Sequence, residues 1–295
     1  MLYGAGEEMD IKTAVFPVAG FGTRMLPATK AIPKEMITLI DKPLIQYAVE
    51  EAIDAGIERI IFITGRTKKA LEDHFDINVE LNQQLESAGK TDLLNDMKRI
   101  SEMVDIIYVR QKYMLGLGNA ISCVQDIVKN EPFAVILPDD IILSKTPVTK
   151  QLIECYKKVE RPVISLMPVA KNETSKYGIV EIKEKVDARL SRLKDMVEKP
   201  LSNPPSNMAI IGRYILTPEV ISALSKIEKG SGGELQLTDA LKYTAKYYDV
   251  YGYEFEGKRF DCGTKQGLLE ATINFAYADD NLVNTLKDTI ASLSL

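Results

Sequence analysis

Two glycines and three cationic side chains lie close together in the stretch AVFPVAGFGTRMLPATKAIPKEM, near the start of the chain. Gly20 and Gly22 follow a short apolar run that predicts a buried strand, so they open a loop at the end of that strand. Glycines let backbone N–H groups approach an anion closely. Arg24 offers a planar fork to phosphate oxygens, and Lys30 and Lys34 add point charges. These residue types at this spacing predict a loop that binds a polyphosphate.

Other interpretations of this loop are a plain strand-to-helix turn with solvated cations and two better-known glycine motifs. A dinucleotide fingerprint requires a third glycine where Met25 stands, and no Gly-Lys-Ser or Gly-Lys-Thr follows for a P-loop. Both motifs are therefore excluded, which disfavours a dinucleotide-dependent oxidoreductase. The plain turn stays open on these residues alone.

Two aspartates lie at the predicted ends of strands that are far apart in sequence. Asp139 belongs to LPDD, directly after an apolar strand pattern, and Asp261 belongs to RFDCGT. Each alone is typical of a turn, but together they are a candidate Mg²⁺ site, because Mg²⁺ takes one or two carboxylates plus phosphates and waters. Asp140 is the less favoured neighbour. A zinc site is not indicated, since His74 is the single histidine.

A longer stretch of sequence that includes this loop indicates a family. GFGTRMLPATKAIPKEM, with DKPLIQY after it, resembles the GxGTRxxPxxxxxPK signature of the sugar-phosphate nucleotidyltransferases, and is similar to their bacterial members that use UTP and glucose 1-phosphate. The similarity covers residues 12–272. It implies Mg²⁺-dependent transfer of UMP from UTP to glucose 1-phosphate, with UDP-glucose and pyrophosphate as products. Such a reaction needs no general base, because the attacking phosphate is already an anion near neutral pH.

The resemblance also implies roles for residues at several strand ends. An amide such as that of Gln111 can pair with a donor and an acceptor on a pyrimidine edge, although Asn119 stands where a histidine is common in the family. Of the cations, Arg24 and Lys34 are expected on the triphosphate and Lys199 on the sugar phosphate. The implied residues are Arg24, Lys34 and Lys199 for catalysis, Ala19, Gly20, Gly22, Thr23, Gln111 and Gly116 for the nucleotide, Tyr177, Gly178, Glu198, Lys199 and Glu234 for the sugar phosphate, and Asp139 and Asp261 for Mg²⁺.

Alternating helix and strand patterns over the first two thirds of the chain predict the elements that position these residues. We expect an α/β fold: a Rossmann-like mixed, mostly parallel sheet flanked by helices, with a small β-hairpin part and C-terminal helices. The resemblance implies the nucleotide-diphospho-sugar transferase type of this fold, with the β-hairpin as its sugar-binding part. The predicted strands are 13–18, 59–63, 105–110, 133–137, 162–169, 178–183, 190–197, 209–216 and 251–256. The predicted helices are 43–56, 67–75, 79–103, 118–128, 147–159, 237–247, 264–275, 280–292 and one that begins at 218.

The same patterns, together with the resemblance, predict how the chain is divided. We expect one nucleotidyltransferase domain over 10–275, followed by a C-terminal helix over 276–295. Within the domain, residues 10–145 form the predicted nucleotide-binding part and residues 146–265 the predicted sugar-phosphate part. The helix predicted for 79–103 is too polar for the core, so we expect it to pack on the outside.

Composition excludes several classes of partner. The net charge of −5 argues against a nucleic-acid-binding surface, and no apolar run approaches the roughly 18 residues of a membrane span. Three widely spaced cysteines and the lack of a signal-peptide pattern indicate reduced thiols in the cytoplasm. We therefore expect a cytoplasmic protein without a nucleic-acid or membrane partner. The resemblance implies UTP and glucose 1-phosphate as partners, and we expect a homo-oligomer, a dimer or a tetramer.

Two alternative functions stay open. The nearer one is a glucose-1-phosphate thymidylyltransferase or another sugar-1-phosphate nucleotidyltransferase, because thymine differs from uracil by one methyl group and packing discriminates such a difference weakly. The other is a non-catalytic sensor of sugar nucleotides. Asp139, Lys199 and Asp261 together argue against the sensor, which has no need of all three.

Overall fold

The computed structural model describes residues 10–293, with the side chain of Ser231 left out. The last two positions of the C-terminal helix predicted for 276–295 thus lie outside the described residues. The strands are β1 (Thr13–Pro17), β2 (Thr38–Leu39), β3 (Lys42–Pro43), β4 (Arg59–Thr64), β5 (Asp105–Arg110), β6 (Phe133–Ile136), β7 (Asp140–Leu143), β8 (Val163–Pro168), β9 (Gly178–Lys185), β10 (Leu190–Glu198), β11 (Met208–Leu216), β12 (Tyr251–Glu254) and β13 (Lys258–Asp261). The α-helices are α1 (Leu44–Asp54), α2 (Lys69–Phe75), α3 (Val79–Ser87), α4 (Thr91–Glu102), α5 (Leu117–Ser122), α6 (Gln125–Val128), α7 (Val148–Val159), α8 (Pro218–Leu224), α9 (Leu237–Ala245), α10 (Lys265–Ala278) and α11 (Val283–Ser292).

The main sheet contains nine strands in the order β5-β4-β1-β6-β11-β8-β12-β10-β9. The first four of these strands pair in parallel, as predicted. The prediction of a mostly parallel sheet is nevertheless wrong, because four of the eight neighbouring pairs are antiparallel. Two strands are reversed: β11, which lies between β6 and β8, and β10, which lies between β12 and β9, each run opposite to both neighbours. Every residue of β11 is buried, and a strand buried on both faces has the same pattern in either direction.

The second half of the sheet closes on itself. The hairpin of β9 and β10 is confirmed, and Asp187 accepts hydrogen bonds from two backbone N–H groups in its turn. Strand β9 also pairs with β11, through Ile179 and Ala209. This pairing closes β11, β8, β12, β10 and β9 into a small barrel. The hairpin therefore belongs to the main sheet and is not an appended unit.

A two-stranded sheet of β7 and β13 was not predicted from the sequence. The two strands are antiparallel, with Asp140 opposite Asp261. Ile141 and Phe260 anchor them in a small apolar cluster that also includes Leu39. This pairing brings two segments that are distant in sequence to one place at the end of β6.

The helices cover the sheet on both faces, over two large apolar clusters. Alternation along β1 directs Phe16 to one cluster and Val15 to the other. The single helix predicted for 79–103 is wrong, because Gly89, with φ +66°, separates α3 from α4. Its predicted position on the outside is confirmed for α3, which contains no buried residue. Within residues 10–293, no helix combines the length and apolar character of a membrane span.

Candidate active site

The glycine loop predicted from the sequence follows β1 and leads into three short 3-10 helices, at Thr23–Met25, Ala28–Lys30 and Lys34–Met36. Gly22 has φ +67°, a left-handed conformation that side chains rarely adopt, and a Cβ there would lie 2.8 Å from the Cβ of Lys34. Both backbone conformation and space therefore require glycine at this position. Ala19 and Gly20 lie in the same loop.

Four charged side chains from distant segments meet beyond the end of β6. Lys34 Nζ lies 2.6 Å from Asp139 Oδ2. The Arg24 guanidinium lies between two carboxylates, 3.6 Å from that of Asp139 and 3.5 Å from that of Asp261. A Cβ placed on Gly263 would lie 2.9 Å from Asp139 Oδ2 and 3.0 Å from Asp261 Oδ1, so the two carboxylates border the same small space.

The charges in this cluster stabilise one another. Burial would raise the pKa of Asp139, but the charge and hydrogen bond of Lys34 outweigh burial and hold this pKa below its usual range. Burial would lower the pKa of Lys34, but the carboxylates of Asp139 and Glu35 raise it instead. Both groups are therefore charged at neutral pH. An ionised Asp139 is the form that binds a metal cation.

The donor set at this position suits a hard cation bound partly by substrate. Asp139 and Asp261 offer carboxylate oxygens, with side chains 18% and 25% exposed, so solvent reaches both. Among residues 10–293, no three Asp, Glu, His or Cys side chains form a group that could hold a metal ion by itself. Two carboxylates completed by phosphates and waters are a usual environment for Mg²⁺. The residues present thus fit a magnesium ion that arrives with a nucleotide.

Asp140 differs from Asp139 because other groups of the protein donate hydrogen bonds to both of its carboxylate oxygens. The N–H of Gly212 donates to Asp140 Oδ2 at 3.0 Å, and Arg259 Nε donates to Asp140 Oδ1 at 2.6 Å. Burial would lower the pKa of Arg259, but the Asp140 carboxylate raises it well above its usual value. Asp140 and Arg259 thus form a buried ion pair, which favours Asp139 as the metal ligand on this loop.

The residues predicted for the sugar phosphate line one cleft of about 540 Å³ with Arg24, Asp139 and Asp261. Its lining includes Tyr177, Gly178, Glu198, Lys199 and Glu234, so the structure brings the whole predicted set together.

Hydrogen bonds hold Glu198 in a fixed position in this cleft. Thr238 Oγ1 donates to Glu198 Oε2 at 2.6 Å, and Lys199 Nζ lies 3.2 Å from Glu198 Oε1. A Cβ on Gly178 would lie 3.0 Å from Thr238 Oγ1 and 3.2 Å from Glu198 Oε2. Glycine at this position therefore lets the backbone approach the carboxylate closely.

The residues predicted to read the base lie apart from this cleft. Gln111 Nε2 donates to Asn119 Oδ1 at 2.9 Å, so Asn119 orients the amide that was predicted to read a pyrimidine. Gly116 has φ +97°, and a Cβ there would lie 2.8 Å from the carbonyl oxygen of Leu235. Among the residues that the structure describes, Leu117 lines the cleft with Arg24, whereas Gln111 and Gly116 do not.

Sequence reasoning assigned no role to two residues that make polar contacts in the cleft. Arg259 donates to the hydroxyl of Tyr177 at 2.9 Å as well as to Asp140, so it connects the sugar side with the carboxylates. It lies two positions before Asp261, and recognition of β13 would have placed both side chains on one face. Thr238 is the other residue, and its contact with Glu198 has no local signal in the sequence.

Comparison with known proteins identifies relatives of this chain. A model of the nucleotidyl transferase family matches residues 14–277. The UTP–glucose-1-phosphate uridylyltransferase of Bacillus subtilis (strain 168) is 47% identical over 277 residues, which are 94% of each chain.

Two solved structures are similar over nearly their whole length. A UDP-glucose pyrophosphorylase complexed with UDP-glucose is 45% identical, with a TM-score of 0.83 over 91% of this chain and 100% of that one. A UTP-bound UGPase from Acinetobacter baumannii is 38% identical, with a TM-score of 0.88 over 96% of this chain and 99% of that one.

Proposed function

Because this chain belongs to the nucleotidyl transferase family, we propose that it transfers UMP from UTP to glucose 1-phosphate, giving UDP-glucose and pyrophosphate. The observation that carries this proposal is the cluster of Arg24, Lys34, Asp139 and Asp261 at the edge of the cleft that contains Lys199. Cations on either side of two carboxylates suit two polyanionic substrates that share one metal ion. The Bacillus subtilis relative is named for both substrates, and the Acinetobacter baumannii structure contains UTP.

The reaction is a direct displacement at phosphorus. A phosphate oxygen of glucose 1-phosphate attacks the α-phosphorus of UTP, and the new O–P bond forms as the bond to the bridging oxygen breaks. Pyrophosphate leaves with that oxygen. Arg24 and Lys34 bind the triphosphate and stabilise the negative charge that develops on the leaving group, while Lys199 binds the sugar phosphate. The attacking oxygen is already an anion, so the single histidine, His74, is not needed as a base.

Asp139 and Asp261 would hold Mg²⁺, because their carboxylates border one space. Bound there, Mg²⁺ would supply positive charge that neutralises phosphate oxygens of both substrates. Lys34 and Arg24 contact these same carboxylates in the present structure. We expect both cations to turn toward phosphate oxygens when the nucleotide binds.

The other predicted residues orient the two substrates. Glu198, fixed by Thr238, accepts hydrogen bonds from sugar hydroxyls, with the Gly178 backbone, Tyr177 and Glu234 beside it. In this proposal residues 10–145 bind the nucleotide and residues 146–265 bind the sugar phosphate, as in nucleotide-diphospho-sugar transferases.

On the nucleotide side, Ala19, Gly20, Gly22 and Thr23 approach the phosphates, and Gln111 and Gly116 contact the base. A homo-oligomer and a cytoplasmic location remain predictions. The three cysteines are free, as a reducing compartment requires.

A panel of substrates tests the proposal. Pyrophosphate release should be measured with Mg²⁺ across UTP, dTTP, CTP and ATP, each with glucose 1-phosphate and with several other sugar 1-phosphates. UTP with glucose 1-phosphate is expected to give the highest kcat/KM. The same mixtures with EDTA serve as the control for the metal requirement.

Two outcomes would contradict parts of the proposal. A clear preference for dTTP or for a mannose phosphate would make the uridylyl assignment wrong while leaving nucleotidyl transfer intact. No pyrophosphate from any pair would support the sensor instead.

A further inference from the structure

A buried ion pair lies next to the glycine loop, and neither of its side chains contacts substrate in the proposed chemistry. Lys68 Nζ lies 2.7 Å from Glu35 Oε2, and the two side chains are 2% and 0% exposed. Lys68 Nζ also donates a hydrogen bond to the carbonyl oxygen of Gly20 at 2.7 Å. The pair therefore joins the glycine loop, the 3-10 helix that carries Lys34 and the segment that follows β4.

Stability alone does not account for this arrangement. Replacing a buried ion pair with apolar side chains of similar volume is often neutral or stabilising. Burial raises the pKa of Glu35 and lowers that of Lys68, and each shift is opposed by the charge of the partner. Glu35 Oε1 is buried and accepts no hydrogen bond from the described residues. The contact that reaches beyond the pair is the bond from Lys68 to Gly20.

This bond fixes the orientation of one peptide plane. The peptide between Gly20 and Phe21 is trans, so its C=O and N–H point in opposite directions. Lys68 holds the carbonyl toward the interior, which directs the N–H of Phe21 outward, where that residue is 68% exposed. Within residues 10–293, this N–H donates to no other group. A Cβ built on Gly20 would have no atom within 4 Å, so packing around Gly20 does not fix the plane.

We propose that Lys68 is a positioning residue, which holds the Phe21 N–H toward a phosphate group of UTP, and that Glu35 keeps Lys68 in place. A backbone N–H that is oriented before binding gives affinity without an ordering cost. Lys34, beside Glu35, acts on the same nucleotide through its side chain. The inference rests on the proposed function, since it assigns UTP to the glycine loop.

Equilibrium binding of UTP with Mg²⁺, in the absence of sugar phosphate, tests the role of Lys68. The double variant Lys68→Met/Glu35→Leu replaces the ion pair with apolar side chains and is expected to fold. Its Kd for UTP should rise about tenfold, as for the loss of one charge-assisted hydrogen bond. If the double variant fails to fold, Lys68→Gln takes its place in the test. Its shorter side-chain amide cannot reach both Glu35 and the carbonyl oxygen of Gly20, so its Kd for UTP should rise by a similar factor. Glu35→Gln removes the charge that keeps Lys68 in place but can still accept a hydrogen bond from Lys68, so its Kd for UTP should rise less than in the Lys68 variants.

Gln151→Met is the matched control. Gln151 is also buried and donates to the carbonyl oxygens of Thr146 and Glu256, at 2.8 and 2.9 Å, but it lies outside the cleft lining. The Gln151→Met variant should have a lower melting temperature and an unchanged Kd for UTP. The KM for glucose 1-phosphate should be unchanged in the Lys68 variants. A general loss of structure would raise this KM as well.

The outcomes separate the two claims. If the Lys68 variants fold and bind UTP as tightly as the unmodified protein, the positioning role is wrong while the proposed function stands. If the unmodified protein does not bind UTP, the proposed function is wrong and the inference is wrong with it.

Discussion

Arg24 and Lys199 carry the same charge but lie in different parts of the site. Arg24 contacts the two carboxylates that we assign to the metal, whereas Lys199 lies beside Glu198 on the sugar side. Lys199 has φ +46°, which is uncommon for a residue other than glycine. Such backbone strain is concentrated at functional sites, so this conformation agrees with a binding role for Lys199.

Substitution of each cation should therefore affect a different kinetic constant. Lys199→Ala should raise the KM for glucose 1-phosphate and leave the affinity of the free enzyme for UTP nearly unchanged. Arg24→Ala should lower kcat by about 10²–10³-fold, because its charge matters most as pyrophosphate leaves. Steady-state kinetics for both substrates, together with UTP binding, distinguish these effects.

Lys194→Ala is the control for Lys199→Ala. Lys194 lies on β10, the strand that ends just before Lys199, but it is exposed and pairs with Glu181 at 2.6 Å on the outer surface. It should leave both kinetic constants unchanged. Equal losses of UTP affinity in Arg24→Ala and Lys199→Ala would show that Lys199 is misassigned.

At the scale of elements, the glycine loop provides a matched pair of substitutions. Gly22 and Gly89 have nearly the same left-handed φ, +67° and +66°, but a Cβ has no space at Gly22 and open space at Gly89. Gly22→Ala and Gly89→Ala should both lose about 1–2 kcal/mol of stability from backbone strain. Gly22→Ala should also reduce kcat/KM for UTP by about tenfold or more, because the loop must move away from Lys34. Thermal unfolding and UTP kinetics on both variants give the comparison, and normal kinetics in Gly22→Ala would contradict a binding role for this loop.

The sequence predicted the glycine loop well and the strands around the metal site poorly. The loop was predictable because glycines, cations and the preceding apolar strand lie within one short stretch. Strands β7 and β13 are only four residues long and include Asp140, Lys258, Arg259 and Asp261, which are unfavourable in isolated strands. They are stable because they pair with each other and bury Ile141 and Phe260 in one cluster, and that long-range contact has no local pattern.

At the scale of the whole molecule, the sequence predicted the nine strands of the main sheet but not their order. The parallel half was predictable from alternating strands and helices, whereas the reversal at β11 and closure of the barrel depend on pairings between distant segments. That closure places the sugar-side residues of β9 and β10 opposite the carboxylates at the ends of β6 and β13. The site therefore exists only in the assembled sheet. The sequence supported an expectation that the site residues meet, but it did not show the strand pairings that bring them together.

The central claim is that Asp139 and Asp261, from distant parts of the chain, hold one metal ion. Asp139→Asn and Asp261→Asn should each leave the protein folded and raise the Mg²⁺ concentration needed for half-maximal activity. Asp140→Asn is the control, because Asp140 pairs with Arg259. It should lower the melting temperature and leave the Mg²⁺ dependence much less affected.

The most direct measurement is the Mg²⁺ dependence of UDP-glucose formation in the two single variants and in the double variant Asp139→Asn/Asp261→Asn. Groups that act as a unit are not additive, so the double variant should lose far less activity than the product of the two single losses. Losses that multiply cleanly, or an unchanged Mg²⁺ requirement in either single variant, would show that the two carboxylates do not share an ion.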